Sequence, residues 1–256
     1  MRITKGYNLM NLKKKPDRIK NLPVKTNDEI CLLEITDDFF KKNVNITKGY
    51  VINLKKRPDR LDRFTNEVSK YLPDINISVI EAVDGSSLNL RDDFLRKNVN
   101  KWNFQKLSDK MLRGVIGCCL SHLNCYDLIS KSDDEFAIIF EDDCSFVSDE
   151  HKKITKDYLK NMEIPEKFGI IFLNKWPSKP IQRIGKLNRI SGAPTTEAYI
   201  INKEYAEILY KENINDIGAM DSHMHKTMNK YPEYPSYQLV DELFIQYNRT
   251  DTNIQY

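Results

Sequence analysis

The sequence predicts an α/β fold organised on a buried sheet, and three observations carry that expectation. Phe136-Ala137-Ile138-Ile139-Phe140 is an unbroken apolar run that stops at Glu141-Asp142-Asp143. Such runs suit strands buried on both faces, as in parallel sheets. A second apolar strand, Tyr50–Ile52, leads through a basic loop into the helically spaced stretch Leu61–Tyr71. Further short apolar runs at 77–83, 168–174 and 195–202 are separated by helical patterns, the alternation expected of α/β chains. In open α/β sheets ligands bind beyond the carboxyl ends of the strands, which is where the three acids fall. Adjoining carboxylates repel one another unless a positive group sits between them, and a hard divalent cation carrying phosphate supplies one. The plainer alternative is a solvated acidic turn.

The bulk properties exclude some classes. With 256 residues the chain fills one large or two small domains. Its 40 Lys and Arg nearly balance 37 Asp and Glu, for a net charge of +3, so nucleic acid is not an expected partner. No window approaches the ~18–20 apolar residues of a membrane span, and the N-terminus lacks the apolar core of a signal peptide. A soluble, cytoplasmic protein is expected, in a bacterium or in a virus-infected host cell or virion, unless the chain was cut from a longer one. The five cysteines, Cys31, Cys118, Cys119, Cys125 and Cys144, are odd in number and contain no C-x-x-C pair. That argues for free thiols in a reducing compartment and against structural zinc. Cys118 or Cys119 beside His122 would suit a nucleophile, but small buried thiols are the commoner case.

The chain contains an internal duplication. Ile3-Thr4-Lys5-Gly6-Tyr7 recurs as Ile46-Thr47-Lys48-Gly49-Tyr50, and Asn11–Arg18 recurs nearly unchanged as Asn53–Arg60. Asp37–Asn45 is echoed by Asp92–Asn100, at a wider spacing. Two unequal units do not make a solenoid. The first copy has no counterpart of Leu61–Tyr71 or of Asp84-Gly85, so residues 1–45 are read as a shortened duplicate packed as an appendage, and 46–256 as the working domain.

Other stretches have less specific readings. Lys55-Lys56-Arg57-Pro58-Asp59-Arg60, between first strand and first helix, is a natural place for a nucleotide's base and phosphates, since Arg forks match phosphate oxygens; a solvated basic loop is the alternative. Asp84-Gly85-Ser86-Ser87 reads as a turn, and 86–110 as a loop-helix excursion holding Trp102 and Phe104. Gly114, Gly117, Cys118 and Ser121 on a helix running from 112 through 129 suit close approach to another backbone, expected to be the sheet. His122 after Ser121 is not a triad without a placed acid. Residues 148–163 suit an exposed helix. Pro177, Pro180 and many basic residues predict a loop over 175–191, and a helix follows at Lys203–Lys211. His223 and His225 are spaced i, i+2 behind Asp221, which does not suit a helical metal pair but leaves one histidine as a late ligand.

Taken together, the motifs resemble glycosyltransferase family 25, which includes bacterial lipooligosaccharide (lipopolysaccharide-biosynthesis) galactosyltransferases and the collagen hydroxylysine galactosyltransferases. The matching pieces are Val51-Ile52-Asn53-Leu54 with Arg57-Pro58-Asp59-Arg60, Ala82-Val83-Asp84-Gly85, Gly117-Cys118 through Ser121-His122, Ile139–Asp143, and Ala198-Tyr199-Ile200-Ile201. Each is weak alone; five in register are specific, with weaker similarity around Asp221 and Leu239–Gln246. The resemblance implies a GT-A type nucleotide-diphospho-sugar transferase fold, a single mixed, mostly parallel sheet flanked by helices. It implies a Mn²⁺ or Mg²⁺ cofactor with Asp143 as main ligand, Glu141 and Asp142 on metal waters or ribose, and His223 as an extra ligand. Asn53, Arg57, Arg60 and Asp84 would face the UDP-sugar donor. Inversion needs a general base on the acceptor hydroxyl, and Asp221 is the candidate. The acceptor would be a glycan or hydroxylated protein, and homo-oligomerisation is left open. One departure is Val115, where the family often has glutamate; it motivates the alternative of a catalytically silent binding or assembly module. A phosphohydrolase is disfavoured because Asp142-Asp143 lacks the D-x-D-x-[TV] pattern.

Overall fold

The computed structural model describes residues 46–99, 107–175, 180–192 and 195–247, together with the two-residue strands Ile19–Lys20, Ile35–Thr36 and Phe40–Lys41. Apart from those strands the shortened repeat, with Cys31, lies outside the described residues, as do Trp102, Phe104 and Pro177. Ile19–Lys20 pairs antiparallel with Ile35–Thr36, and Phe40–Lys41 pairs with Ile164–Pro165.

From residue 46 the chain runs β1 (Lys48–Asn53), α1 (Pro58–Glu67), β2 (Asn76–Glu81), α2 (Asp93–Asn98), α3 (Asp109–Ser130), β3 (Phe136–Glu141), β4 (Cys144–Phe146) and α4 (Asp149–Lys160). It continues with β5 (Ile170–Phe172), β6 (Gln182–Ile184), β7 (Leu187–Ile190), β8 (Ala198–Asn202), α5 (Lys203–Asn213), α6 (Met220–Lys230), β9 (Ser236–Leu239) and β10 (Phe244–Gln246). Helix starts follow local chemistry. Pro58 opens α1, where its missing N–H is no loss. The side chains of Asp92, Ser108, Ser148 and Asn202 accept first-turn backbone N–H groups of α2, α3, α4 and α5.

Eight strands form one sheet in the order β6-β7-β9-β5-β8-β3-β1-β2. Parallel pairing joins β2 to β1, β1 to β3, and β5 to β9, while β8 runs antiparallel to both β3 and β5. With β7 antiparallel to β6 and β9, only β7 and β8 oppose the common strand direction. The sheet is therefore mixed and mostly parallel by direction, as expected.

Strand parity divides the core in two. Phe136, Ile138 and Phe140 of β3 face α1, where the Phe64 ring packs tilted against Phe140 at 5.4 Å between ring centroids. Ala137 and Ile139 face the other side, with Ile116, Leu123 and Tyr126 of α3 and Leu209 of α5. Burial on both faces is what the unbroken apolar run requires.

Two expectations need correcting. The stretch 175–191 contains a hairpin, with Ile184 opposite Leu187 across a two-residue turn. Gly185 makes it possible: its φ of 58° lies in the left-handed region that glycine enters without steric cost. The small residues of α3, expected against the sheet, instead approach the loop after β2. A Cβ on Gly117 would lie 2.7 Å from the Val83 carbonyl oxygen, and one on Gly85 would lie 2.2 Å from that of Arg113. Ser121 reinforces the contact, its Oγ accepting the Val83 N–H at 2.8 Å and donating to the Gly117 carbonyl at 2.6 Å.

Candidate active site

That close packing builds one wall of a cavity of about 550 Å³ at the carboxyl ends of β1, β2 and β3. The loop after β1 contributes Lys56, the loop after β2 Asp84, and α3 Lys110 and Arg113; Glu141, Asp142 and Asp143 line it from the end of β3. Lys56 spans the rim, with Nζ 2.7 Å from Asp84 and 3.2 Å from the Ser86 hydroxyl. The Lys56 hydrogen bond, with help from Ser86, holds the Asp84 carboxyl below its usual range against the opposing effect of partial burial.

The three acids have different surroundings because successive residues at a strand end point to opposite faces. Glu141 points toward α3. Its carboxylate accepts the Thr196 hydroxyl and lies 3.2 Å from His122 Nε2. Burial pushes its pKa up, but the contacts to His122 and Thr196 outweigh that and leave it low. Asp142 points toward α1, where one oxygen takes the Arg60 guanidinium at 2.9 Å and the other the Asn53 amide at 2.7 Å. Arg63 donates to the Asp142 and Cys144 carbonyls, fixing the turn from outside. Burial still raises the Asp142 pKa, only partly offset by Arg60 and Asn53.

Asp143 is bound on one side only. Its Oδ2 accepts the Gln246 amide at 3.0 Å and lies 3.7 Å from Arg60, while its buried Oδ1 has no hydrogen-bond partner among the described residues. Burial and the charge of Glu141 push its pKa up to about 7, against the opposing Gln246 and Arg60. A buried bare carboxylate oxygen at a cavity wall costs free energy that a bound cation would recover. The residues present therefore fit a divalent cation.

Not every expected site residue reaches the cavity. Asn53 is buried and its amide is occupied by Asp142 and the Arg57 carbonyl, so it orients a carboxylate rather than facing a base. Arg57 forks onto its neighbour Asp59 at 2.8 and 2.9 Å and is not among the lining residues; Lys56 takes that place. Arg60 lines the cavity but is paired with Asp142. His223 is buried in α6 with neither ring nitrogen hydrogen-bonded among the described residues, and burial lowers its pKa. The structure does not bring it to the acidic motif. Asp221 is exposed in the first turn of α6, accepting the Ser222 N–H, and its charge is felt at Cys118 on the cavity wall. Val115 is half-buried and outside the lining.

Sequence reasoning missed Lys110, Arg113, Gln246 and Thr196 as site residues. Gln246 left the clearest trace, in the weak similarity over Leu239–Gln246. It also missed that Cys118 Sγ, His122 Nε2 and a Glu141 oxygen lie within 4.8 Å of one another.

Fold and site define an α/β protein with a charge-lined cavity at the carboxyl ends of parallel strands, where such folds bind ligands. The chain belongs to glycosyltransferase family 25: the model of that family (LPS biosynthesis protein) matches residues 46–184, more than half of the chain. Procollagen galactosyltransferase 2 of Homo sapiens is 28% identical over 209 residues, covering 73% of this chain and 32% of the relative. The procollagen lysyl hydroxylase and glycosyltransferase of Acanthamoeba polyphaga mimivirus is 30% identical over 145 residues, covering 53% and 16%. The chain thus spans a third or less of the length of these curated relatives. Among solved structures, a glycosyltransferase involved in glycosylation of the PBCV-1 major capsid is similar at 12% identity and TM-score 0.42, covering 77% of this chain and 81% of that one. No described helix is long and apolar enough to cross a membrane.

Proposed function

We propose that the chain is the catalytic domain of a metal-dependent hexosyltransferase with a GT-A type fold, moving galactose or glucose from a UDP-sugar to an acceptor hydroxyl with inversion. The observation that carries this reading is the bare, buried Oδ1 of Asp143 facing a cavity that also holds Lys56, Lys110 and Arg113. A diphosphate brings negative charge that suits those cations. A Mn²⁺ or Mg²⁺ held by Asp143, with Glu141 beside it, would neutralise charge building on the departing nucleoside diphosphate. Asp142, locked by Arg60 and Asn53, holds the turn that presents Asp143. We assign Asp221 as the base for the acceptor hydroxyl, supported by its exposed carboxylate near the Cys118 wall. The names of the relatives favour a hydroxylated, collagen-like protein as acceptor.

The competing reading is a catalytically silent relative, favoured by Val115. Calorimetry with UDP separates them in part. The transferase reading expects UDP binding that requires Mn²⁺; no UDP binding with or without the metal would overturn it.

A further inference from the structure

Cys118 and His122 are four residues apart on α3, so their side chains share one face of the helix. That face meets Glu141 at the end of β3, and the three donor atoms lie within 4.8 Å of one another. No other such trio of His, Cys, Asp or Glu side chains occurs among the described residues. All three line the cavity, which leaves an open position for water, as in exchangeable three-ligand zinc sites.

The surroundings of His122 point the same way. Its Nδ1 lies 2.8 Å from the Tyr199 hydroxyl, which lies 2.9 Å from that of Tyr126, and the imidazole stacks on the Tyr199 ring. Tyr126 in turn reaches Met220 Sδ at 3.6 Å. If each group in that chain donates to the next, Nε2 is the nitrogen left to face a Glu141 oxygen at 3.2 Å. In the metal-free chain a proton on Nε2 bridges imidazole and carboxylate, and a divalent cation bound between them would take that proton's place. A hydrogen bond from Nδ1 outward is also what fixes a metal-bound histidine.

We propose that Cys118, His122 and Glu141 form a cation site for a thiophilic divalent metal of the Zn²⁺ class, adjoining the hard-cation site assigned to Asp143, with Glu141 between the two. Thiolate and imidazole select Zn²⁺ over Mn²⁺ or Mg²⁺. Binding replaces the Cys118 S–H bond with S–Zn and releases that proton to solvent.

The test uses the full chain, titrated with Zn²⁺ by calorimetry and with Co²⁺ as a spectroscopic substitute. Expected are one tight Zn²⁺ site and a thiolate-to-cobalt charge-transfer band. Cys118→Ser abolishes the band and weakens Zn²⁺ by at least ~100-fold, since losing a direct ligand costs no less than losing an outer one. Asp143→Asn, which removes the proposed Mn²⁺ ligand, keeps both Zn²⁺ binding and the band, so this site and the transferase reading stand or fall separately. A cobalt complex of the wild type without a thiolate band, a result that needs no variant to fold, overturns the proposal. Wild-type Zn²⁺ affinity in Cys118→Ser overturns it as well.

Discussion

Gln246 donates from Nε2 to Asp143 Oδ2 at 3.0 Å, across 103 residues of sequence. The contact ties β10 to the acidic motif, and the Tyr247 N–H to the Asp143 carbonyl at 2.7 Å ties it a second time. Arg63 lies over the Tyr247 ring at 4.3 Å and closes the strap from the α1 side. With one oxygen held, Asp143 can present only the other. Gln246→Ala should therefore weaken Mn²⁺ binding by about 10- to 100-fold, the usual cost of removing an outer hydrogen bond from a metal ligand. Calorimetry with Mn²⁺ alone measures it; unchanged affinity would mean Asp143 is oriented without the strap.

Arg60 and Asp142 form a buried ion pair with side chains 7% and 8% exposed. Removing one partner strands the other, which costs about 3–5 kcal/mol. Arg60→Met is expected to lose that much in urea unfolding, and Arg60→Met with Asp142→Asn to recover part of it. Equal stability of the single and double variants would show that the pair is not the origin of the loss.

Asp143 also sets a pH dependence. Its folded pKa of about 7 lies above the ordinary 3.8, so the folded chain keeps a proton that the unfolded chain has lost. Stability of the metal-free protein from this group is highest at low pH and falls as pH rises through that window. Cation binding needs the carboxylate, so it changes in the opposite direction. Mn²⁺ affinity should rise ~10-fold between pH 6 and pH 8, and Asp143→Asn should remove that dependence. A pH-independent affinity in the wild type would contradict the assignment of Asp143.

Gly117 offers a test of the cavity wall. An added methyl at 2.7 Å from the Val83 carbonyl oxygen has to push α3 away from the loop that holds Asp84. Gly117→Ala is expected to lose about 1–3 kcal/mol in thermal unfolding, the usual cost of overpacking, and to bind UDP more weakly. Wild-type stability would mean that the helix and loop separate freely.

Much of this arrangement was legible in sequence. The apolar run before Glu141 gave a strand buried on both faces, and period-two alternation then sends Glu141 and Asp142 to opposite sides. Gly117 and Ser121 signalled a close backbone approach. What covered them was not legible, because the partner loop is set by tertiary packing. The partners of Arg57 and Asn53 were not legible for a related reason: either side chain suits a phosphate or a base, and only the fold shows that Asp59 and Asp142 pair with them. The hairpin at 182–190 was hidden by prolines and charges in its flanks, although Gly185-Lys186 between Ile184 and Leu187 was the signal. Gln246 and Thr196 lie far from the motif in sequence, and no local pattern links them to it.

The most direct test of the central claim is sugar release from a panel of UDP-sugars with and without Mn²⁺, wild type beside Asp143→Ala. The account predicts slow release from one hexose donor, dependent on the metal and lost in the variant. Release that persists without metal or in Asp143→Ala, or no release from any donor together with no metal-dependent UDP binding, would contradict it.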